Sequence, residues 1–534
     1  MNRTFQSVFV REGNEPVPQI NFLFDGIPLC NFEFDVPEVH KILSNLKESS
    51  APGPDDIHPK VLKECADNLA LPLYLLFRDS LDTSIIPDLW KTAYVTPIYK
   101  KGIKSDPLNY RPISLTSVPC KIFEKILRNR IIEHLEAHNI LSIHQHGFRS
   151  NRSCLTQLLE YFLEVHDILD EHDPVDAIYL DCKKAFDTVP HRRLLAKLQA
   201  YGITGKVLKW IECFLSDRSQ RVIVKGILSD SLPVWSGVPQ GSVLGPILFL
   251  IFINDLLEGI TSSGKLFADD SKLFRRIKSD EDRDILQNDL TKLQEWSQKW
   301  LLQFNETKCK VMHIGKQDDP FVYYINNVPL SVTHEEKDLG IYVTPDWKSA
   351  THVAKVAAKA NSMVGRIRHT FTYINKDIFK AVYPSLVRSH MEFAVQAWSP
   401  QLKKDINKLE KVQQRATRLV PELRGLTYEQ RLKQLGLTTL EERRRRGDLI
   451  EVYKIMHGVD RVDRKQFFKL ISETHSHDTT GHNLRIWTPR SSGTHRRKYF
   501  DIRVIKDWND LPSSVVHSQS LSIFKRKLDE HCNI

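Results

Sequence analysis

Residues 265–274 read KLFADDSKLF. Two adjacent aspartates, Asp269 and Asp270, interrupt an apolar run of Leu266, Phe267, Leu273 and Phe274, so the segment has the pattern of strand, turn and strand. Two readings compete. Asp tolerates turn geometry and hydrogen-bonds its own backbone, which makes a plain hairpin tip sufficient. Adjacent carboxylates also repel each other, and a bound cation would relieve that repulsion. The decapeptide alone leaves both open.

A second segment bears on the choice. In DAIYLDCKKAFDTVP (176–190) a short buried strand, Ala177–Leu180, closes at Asp181. Three carboxylates at the ends of adjacent antiparallel strands would converge, and leaving them unpaired is costly. Two Mg²⁺ ions roughly 3.5–4 Å apart would neutralise them and form a clamp for in-line phosphoryl transfer. Mg²⁺ takes few protein carboxylates and leaves positions for substrate phosphates, which suits this count.

The remaining sequence bounds the setting. A chain of 534 residues exceeds one compact core and calls for several subdomains. Its 41% hydrophobic and 27% charged content is that of a soluble globular protein. The longest apolar run, 243–253, contains Gly245 and Pro246 and is too short to span a membrane; it reads as a buried helix. The start, MNRTFQSVFVREGNEP, lacks the apolar core of a signal peptide, so an intracellular protein of the nucleus or cytoplasm is expected. Eight cysteines stand singly without a CxxC pair, which points to reduced thiols. His475, His477 and His482 lack cysteines at finger spacing and read as a polar loop.

Charge is unevenly distributed. Residues 351–534 carry 35 Lys and Arg against 19 Asp and Glu, leaving 41 against 47 for residues 1–350. A basic C-terminal third beside a mildly acidic body suggests one part that grips a polyanion and another that holds cations.

Residues 1–34 show little periodicity and read as a loose extension. Asp35 with Pro37 marks a helix start, extending to about Glu48. A strand follows at 91–99, a long helix from Ser117, and an apolar helix from about Cys154 to Leu169. A helix is expected near Pro190, a hairpin at 220–235, helices from Pro246 and over Asp284–Leu302, and short strands at Cys309–Ile314 and Phe321–Tyr324. Beyond residue 350 the pattern is helical, with Lys404, Lys408, Lys411, Arg415 and Arg418 on one side of the helix in KKDINKLEKVQQRATRLV. Thr438-x-x-Glu441 has the form of a capping box ahead of Arg443–Arg446. The class is α+β followed by a helical basic region.

The ordered blocks YKKG and NYRPISL (99–115), QHGFR (145–149), YLDCKKAFDTV (179–189), GVPQGSVLGPILFLIFINDL (237–256), FADD (267–270), Asn305-x-x-Lys308 and DLGIYV (338–343) together resemble the reverse transcriptases of non-LTR retrotransposons, close to the jockey-like elements. The resemblance covers about residues 35–345. It implies a right-hand polymerase: fingers at 35–170, an antiparallel-sheet palm with inserted fingers elements at 171–345, a helical thumb at 346–460 and a basic C-terminal region at 461–534. A non-catalytic nucleic-acid-binding remnant or domesticated protein is the alternative. Relatives of this class carry an endonuclease ahead of the polymerase, for which residues 1–34 leave no room, so a polymerase body from a fragmentary reading frame is expected.

By the same resemblance, Asp181, Asp269 and Asp270 are the catalytic carboxylates and hold two Mg²⁺ ions, with Mn²⁺ as a substitute. Lys308 matches a lysine that protonates the pyrophosphate leaving group. Arg111 with Lys100 or Lys101 would hold the incoming triphosphate. Phe186, five residues after Asp181, stands at the steric gate that excludes a ribose 2′-OH. Gln240 and Gly241 would sit beside the nascent base pair. Gly147, Phe148 and Arg149 would touch template, Leu339, Gly340 and Ile341 would belong to the primer grip, and Arg443, Arg444, Arg445 and Arg446 would reach nucleic-acid phosphate in part. The implied partners are an RNA template, a DNA primer or target and deoxynucleotides, and no membrane. One departure is local: GPDDI at 53–57 carries Asp56 where the family usually has glycine, at a position suited to positive φ.

Overall fold

The computed structural model describes residues 1–22, 24–316, 319–474, 481–489 and 496–532; His475 and His477 lie outside the described residues. Fourteen strands are found among them, numbered in chain order. A mixed sheet joins β1 (Thr92–Tyr99), β2 (Tyr110–Leu115), β4 (Arg218–Val224), β5 (Ile227–Leu228) and β6 (Leu232–Val234), with β1 lying parallel to β4. The central sheet has the order β12-β9-β3-β8-β7, from Ser331–Val332, Lys310–Ile314, Val175–Leu180, Asp270–Arg276 and Ser263–Phe267. Of its four pairings three are antiparallel, and the edge strand β12 runs parallel to β9. Two short hairpins complete the set: β10 (Tyr324–Ile325) with β11 (Val328–Pro329), and β13 (Glu336–Asp338) with β14 (Ile341–Val343).

Period-two alternation makes the central sheet two-faced. Val175, Ala177, Phe274, Met312 and Ile314 pack on the helix Cys154–Asp170 and on the C-terminal helices. Ile178, Leu180, Leu266, Leu273 and Val311 point the other way, onto the helix Asp280–Trp300. Covering both faces holds the strand ends rigidly, and each fully buried Leu or Phe contributes about 1.5–3 kcal/mol. A third core gathers the helices Ala66–Thr83, Val118–Ala137, Gly205–Leu215 and Gly245–Ile253. Gly245–Ile253 is apolar on every side and buried apart from Pro246, which occupies its first turn.

Local starts follow the capping chemistry. Asp35 accepts the Glu38 N–H ahead of Val36–Ser44, and Ser117 accepts the Cys120 N–H ahead of Val118–Ala137. The first of these helices stops at Ser44, short of Glu48. The capping box before Arg443–Arg446 is shifted by one residue: Thr439 and Glu442 form it, not Thr438 and Glu441. Phe321–Tyr323 lies outside the strands, and only Tyr324–Ile325 pairs. Asp56 adopts φ +53°, so the aspartate takes the left-handed conformation that glycine takes more cheaply.

Several of residues 1–34 are packed on the body of the protein. Asn2 is buried and donates to the carbonyls of Gln220 and Asp230, and Arg193 binds Glu12 at 2.7 Å. Arg11 lies 3.8 Å over the Trp235 ring, and Leu29 bridges to Ile203. A segment of little regular structure is thus tied down by side chains, which leave no periodicity to read. Among the described residues no helix is long and apolar enough to cross a membrane.

Candidate active site

The hairpin of β7 and β8 closes with Phe267 opposite Asp270, so its tip is Ala268-Asp269. Ala268 sits at φ +54°, a conformation that costs a residue with a Cβ about 1–3 kcal/mol. On the neighbouring strand Leu180 pairs with Ser271, and continuing that register by one sets Asp181 opposite Asp270. The three aspartates therefore meet at one end of the central sheet.

Their electrostatics reflect that crowding. Burial and the nearby Asp181 raise the Asp269 carboxyl, against the opposing pull of Arg111 and Lys100. Asp270 meets solvent, yet the protein wall around it and the carboxylates of Asp269, Asp338 and Asp181 push it up to about 6. Asp181 is instead paired: Lys308 Nζ donates to its Oδ1 at 2.9 Å. That contact follows from the Asn305-x-x-Lys308 turn. Asn305 N–H donates to the Asp181 carbonyl at 2.7 Å, and Lys308 N–H to the Asn305 carbonyl at 2.9 Å, so the turn delivers the ammonium to the strand end. Among the described residues no three His, Cys, Asp or Glu side chains are gathered closely enough to hold a metal ion.

Cations face the carboxylates from β1 and β2. Ile98 pairs with Arg111, and Lys100 N–H donates to the Asn109 carbonyl just beyond the strands. Partial burial, Arg111 and Lys308 lower the Lys100 ammonium, opposed by Asp181. Lys101 is exposed beside them.

Phe186 lies in the short helix Ala185–Thr188, stacked on Phe249 at 4.5 Å and edge-on to Phe148 at 6.2 Å. The loop 236–241 is pinned to the same place. Val238 N–H donates to the Phe186 carbonyl, and Gln240 Nε2 donates to Asp187 Oδ1 at 3.1 Å. Burial raises the Asp187 carboxyl to about 6, against the pull of Lys184, the Gln240 hydrogen bond and Arg111. Gly241 serves a packing need inside the chain: a Cβ there would come within 2.2 Å of the Ser114 carbonyl oxygen.

Several expected nucleic-acid contacts are engaged internally. Arg149 is buried against Glu136 and donates to the Ser142 carbonyl at 2.8 Å. A Cβ on Gly147 would lie 2.3 Å from the Ala268 nitrogen, so this glycine permits contact with the aspartate turn. Of the three residues in that block only Phe148, 47% exposed, presents its side chain outward. Leu339 and Gly340, at φ +43° and +94°, form the tip between β13 and β14, whereas Ile341 is buried in the core. Arg443 pairs with Glu392, Arg445 with Asp507 and Arg446 with Asp529, while Arg444 is buried near Glu410, Glu441 and Asp448. Arg443, Arg445 and Arg446 thus tie their helix to others, and all four arginines face acidic groups of the chain itself where nucleic-acid phosphate was expected.

Two residues were missed in the sequence. Asp187 holds Gln240, and Gln145, the first residue of QHGFR, accepts a hydrogen bond from the Ala268 N–H of the aspartate turn itself. The signal for both was their place inside recognised blocks.

Residues 98–350 match the family described as reverse transcriptase (RNA-dependent DNA polymerase). The chain is 26% identical over 431 residues to the probable RNA-directed DNA polymerase from transposon X-element of Drosophila melanogaster, covering 78% of this chain and 47% of that protein. It is 28% identical over 439 residues to the probable RNA-directed DNA polymerase from transposon BS of the same organism, covering 76% and 47%. It is 29% identical over 398 residues to the RNA-directed DNA polymerase from mobile element jockey of Drosophila funebris, covering 72% and 43%. The chain thus spans a little under half the length of these relatives. Residues 98–350 thus match the reverse transcriptase family, in a chain similar over most of its length to the RNA-directed DNA polymerases of mobile elements.

Proposed function

We propose that this chain is the polymerase body of a mobile element's RNA-directed DNA polymerase, adding deoxynucleotides to a primer 3′-OH on an RNA template. The observation that carries the reading is the meeting of Asp181, Asp269 and Asp270 at one sheet end, faced by Arg111, Lys100 and Lys308. In this reading residues 35–170 are fingers, 171–345 palm, 346–460 thumb and 461–534 a C-terminal extension, acting inside the cell in nucleus or cytoplasm. The central sheet, which falls in the second span, and the helices of the third support that division.

Reverse transcriptases as a family use divalent metal ions. The donor chemistry here suits Mg²⁺ or Mn²⁺: three carboxylates, of which Asp269 and Asp270 are held above their usual range by burial and by neighbouring carboxylates. Asp181, Asp269 and Asp270, whose side chains are not drawn together as a ligand set in this structure, would have to close on two such ions, which when bound supply the positive charge for in-line phosphoryl transfer. Arg111 and Lys100, with Lys101 beside them, bind the triphosphate through charge-assisted hydrogen bonds. Phe186, fixed by Phe249 and the Val238 hydrogen bond, blocks a ribose 2′-OH. Gln240, held by Asp187, lies against the base or sugar. Lys308 leaves Asp181 to give its Nζ proton to the departing pyrophosphate oxygen.

Phosphate contacts with the duplex are assigned to a different basic surface from Arg443–Arg446. On the helix Lys403–Thr417 and its C-cap, Lys404, Lys408, Lys411, Arg415 and Arg418 recur at steps of four and three on one exposed stripe.

Primer extension on an RNA template with purified protein, Mg²⁺ and deoxynucleotides tests the reading. Wild type extends, and Asp269→Asn loses about 10²–10³-fold or more in rate while still binding primed template. Equal extension by both refutes the carboxylate assignment. Binding without extension by either establishes a non-catalytic remnant.

A further inference from the structure

We propose that Gln145 is a positioning residue for the catalytic turn: its side-chain carbonyl fixes Ala268-Asp269 so that the aspartates face Asp181. The kinetic part of this proposal rests on the polymerase reading above. One oxygen, Gln145 Oε1, accepts both the Gly147 N–H at 2.7 Å and the Ala268 N–H at 2.9 Å. Both partners are donors, so the carbonyl must face the turn and the amide must face away. The amide nitrogen is buried and finds no partner among the described residues. A side chain kept buried with an unpaired donor signals that its other end is needed.

The surroundings make Oε1 a fixed point. Residues 144–146 run parallel to β7, with Leu266 N–H donating to the His144 carbonyl and His146 N–H to the Leu266 carbonyl, each at 3.0 Å. His146 is anchored in turn to Thr156 at 2.9 Å and to Glu160 at 3.3 Å, and Glu160 to Lys265 at 2.9 Å. Gly147, lacking a Cβ, lets the backbones meet at Ala268. Ala268 itself occupies φ +54°, where alanine does not rest unaided, so the turn needs an external holder. The strut thus runs from the helix Cys154–Asp170 through Gln145 to the tip that carries Asp269.

Backbone amide exchange, measured beside primer-extension kinetics on the full chain, tests this. Gln145→Met keeps length and volume but offers no acceptor. In that variant the Ala268 and Gly147 amides exchange at least about ten-fold faster. The kcat falls about 10²-fold, as for a reacting group displaced by about an ångström, while KM for deoxynucleotide stays within about two-fold. Gln145→Glu, which still accepts both N–H groups, restores slow exchange. If Gln145→Met does not fold, Gln145→Asn, with its carbonyl withdrawn by one methylene, must give the same split of kcat from KM. Unchanged exchange overturns the proposed bond. Faster exchange with kcat within two-fold of wild type overturns the positioning role. A wild type that extends no primer refutes the polymerase reading alone, and the exchange comparison then decides whether Gln145 holds the turn.

Discussion

The Ala268-Asp269-Asp270 tip and the Arg443–Arg446 run are both concentrations of like charge, and the fold treats them oppositely. Successive residues on a helix project about 100° apart, so the four arginines radiate. Three of them meet an acidic partner on a different element, Glu392, Asp507 and Asp529, and Arg444 is buried near Glu410, Glu441 and Asp448. The aspartates sit side by side on a hairpin, and the lysine nearest to them on β8, Lys272, is committed to Asp338. Burial raises both carboxyls, and the charge of neighbouring carboxylates adds to it. A charge cluster given counter-charges by its own chain is structural. One left to repel itself at a rigid strand end awaits a ligand of opposite sign.

The largest expected effect is on the aspartate side. Asp269→Asn removes one of the mutually repelling groups, so activity collapses while the melting temperature holds or rises. A large loss of stability in this variant would place Asp269 among the structural charges and erase the contrast. On the arginine side the expectation inverts. Asp448 is buried and accepts from Nε and Nη2 of Arg503, each at 2.9 Å, with Arg444 close by. Asp448→Ala strands those charges and costs about 3–5 kcal/mol in denaturant unfolding. A cost below 1 kcal/mol would mean that the run is not a load-carrying joint.

How much of this was readable in advance follows from the range of each interaction. The hairpin at 265–274 and the strand closing at Asp181 were legible because a short apolar run ending at an aspartate is a local signal and the turn is two residues long. The arginine run was not, since Glu392, Asp507 and Asp529 lie 51, 62 and 83 residues away in the chain. TTLEE contains two overlapping Thr-x-x-Glu pairs, and only the phase of the packed helix selects Thr439 with Glu442. Gln145 escaped notice because its partner Ala268 is 123 residues distant, although the glutamine stood at the head of a recognised block. Lys308 was placed by resemblance, but its contact with Asp181 depends on the Asn305 turn, which no periodicity announces.

A third charged group lies between the two extremes and responds to pH. Burial alone would raise Glu160, but His146 and Lys265 outweigh it and hold the carboxyl down at about 2. A carboxyl depressed in the fold contributes stability that is fully present above its ordinary value of 4.5 and is lost as pH falls through about 2. Glu160→Gln should therefore be less stable than wild type by about 1–3 kcal/mol near neutrality, and the gap should narrow steadily between pH 5 and pH 2. A gap that is constant over that range would assign the cost to packing instead of charge, and the strut beneath the aspartate turn would then owe nothing to its ion pair.

The smallest effects separate cations that are engaged from cations that are available. Lys404, Lys408 and Lys411 are exposed on the helix Lys403–Thr417, whereas Arg443 and Arg445 are held by Glu392 and Asp507. Each phosphate contact adds about 0.9 to the slope of log affinity against log salt on a duplex. Replacing the three lysines with glutamine should flatten that slope by about 2–3 for binding to a primed template. Replacing Arg443 and Arg445 should leave it unaltered and cost about 1 kcal/mol or less of stability per exposed pair. The reverse pattern would mean that nucleic acid draws the arginines off their carboxylates, since only a competing polyanion can make a paired guanidinium behave as a free one.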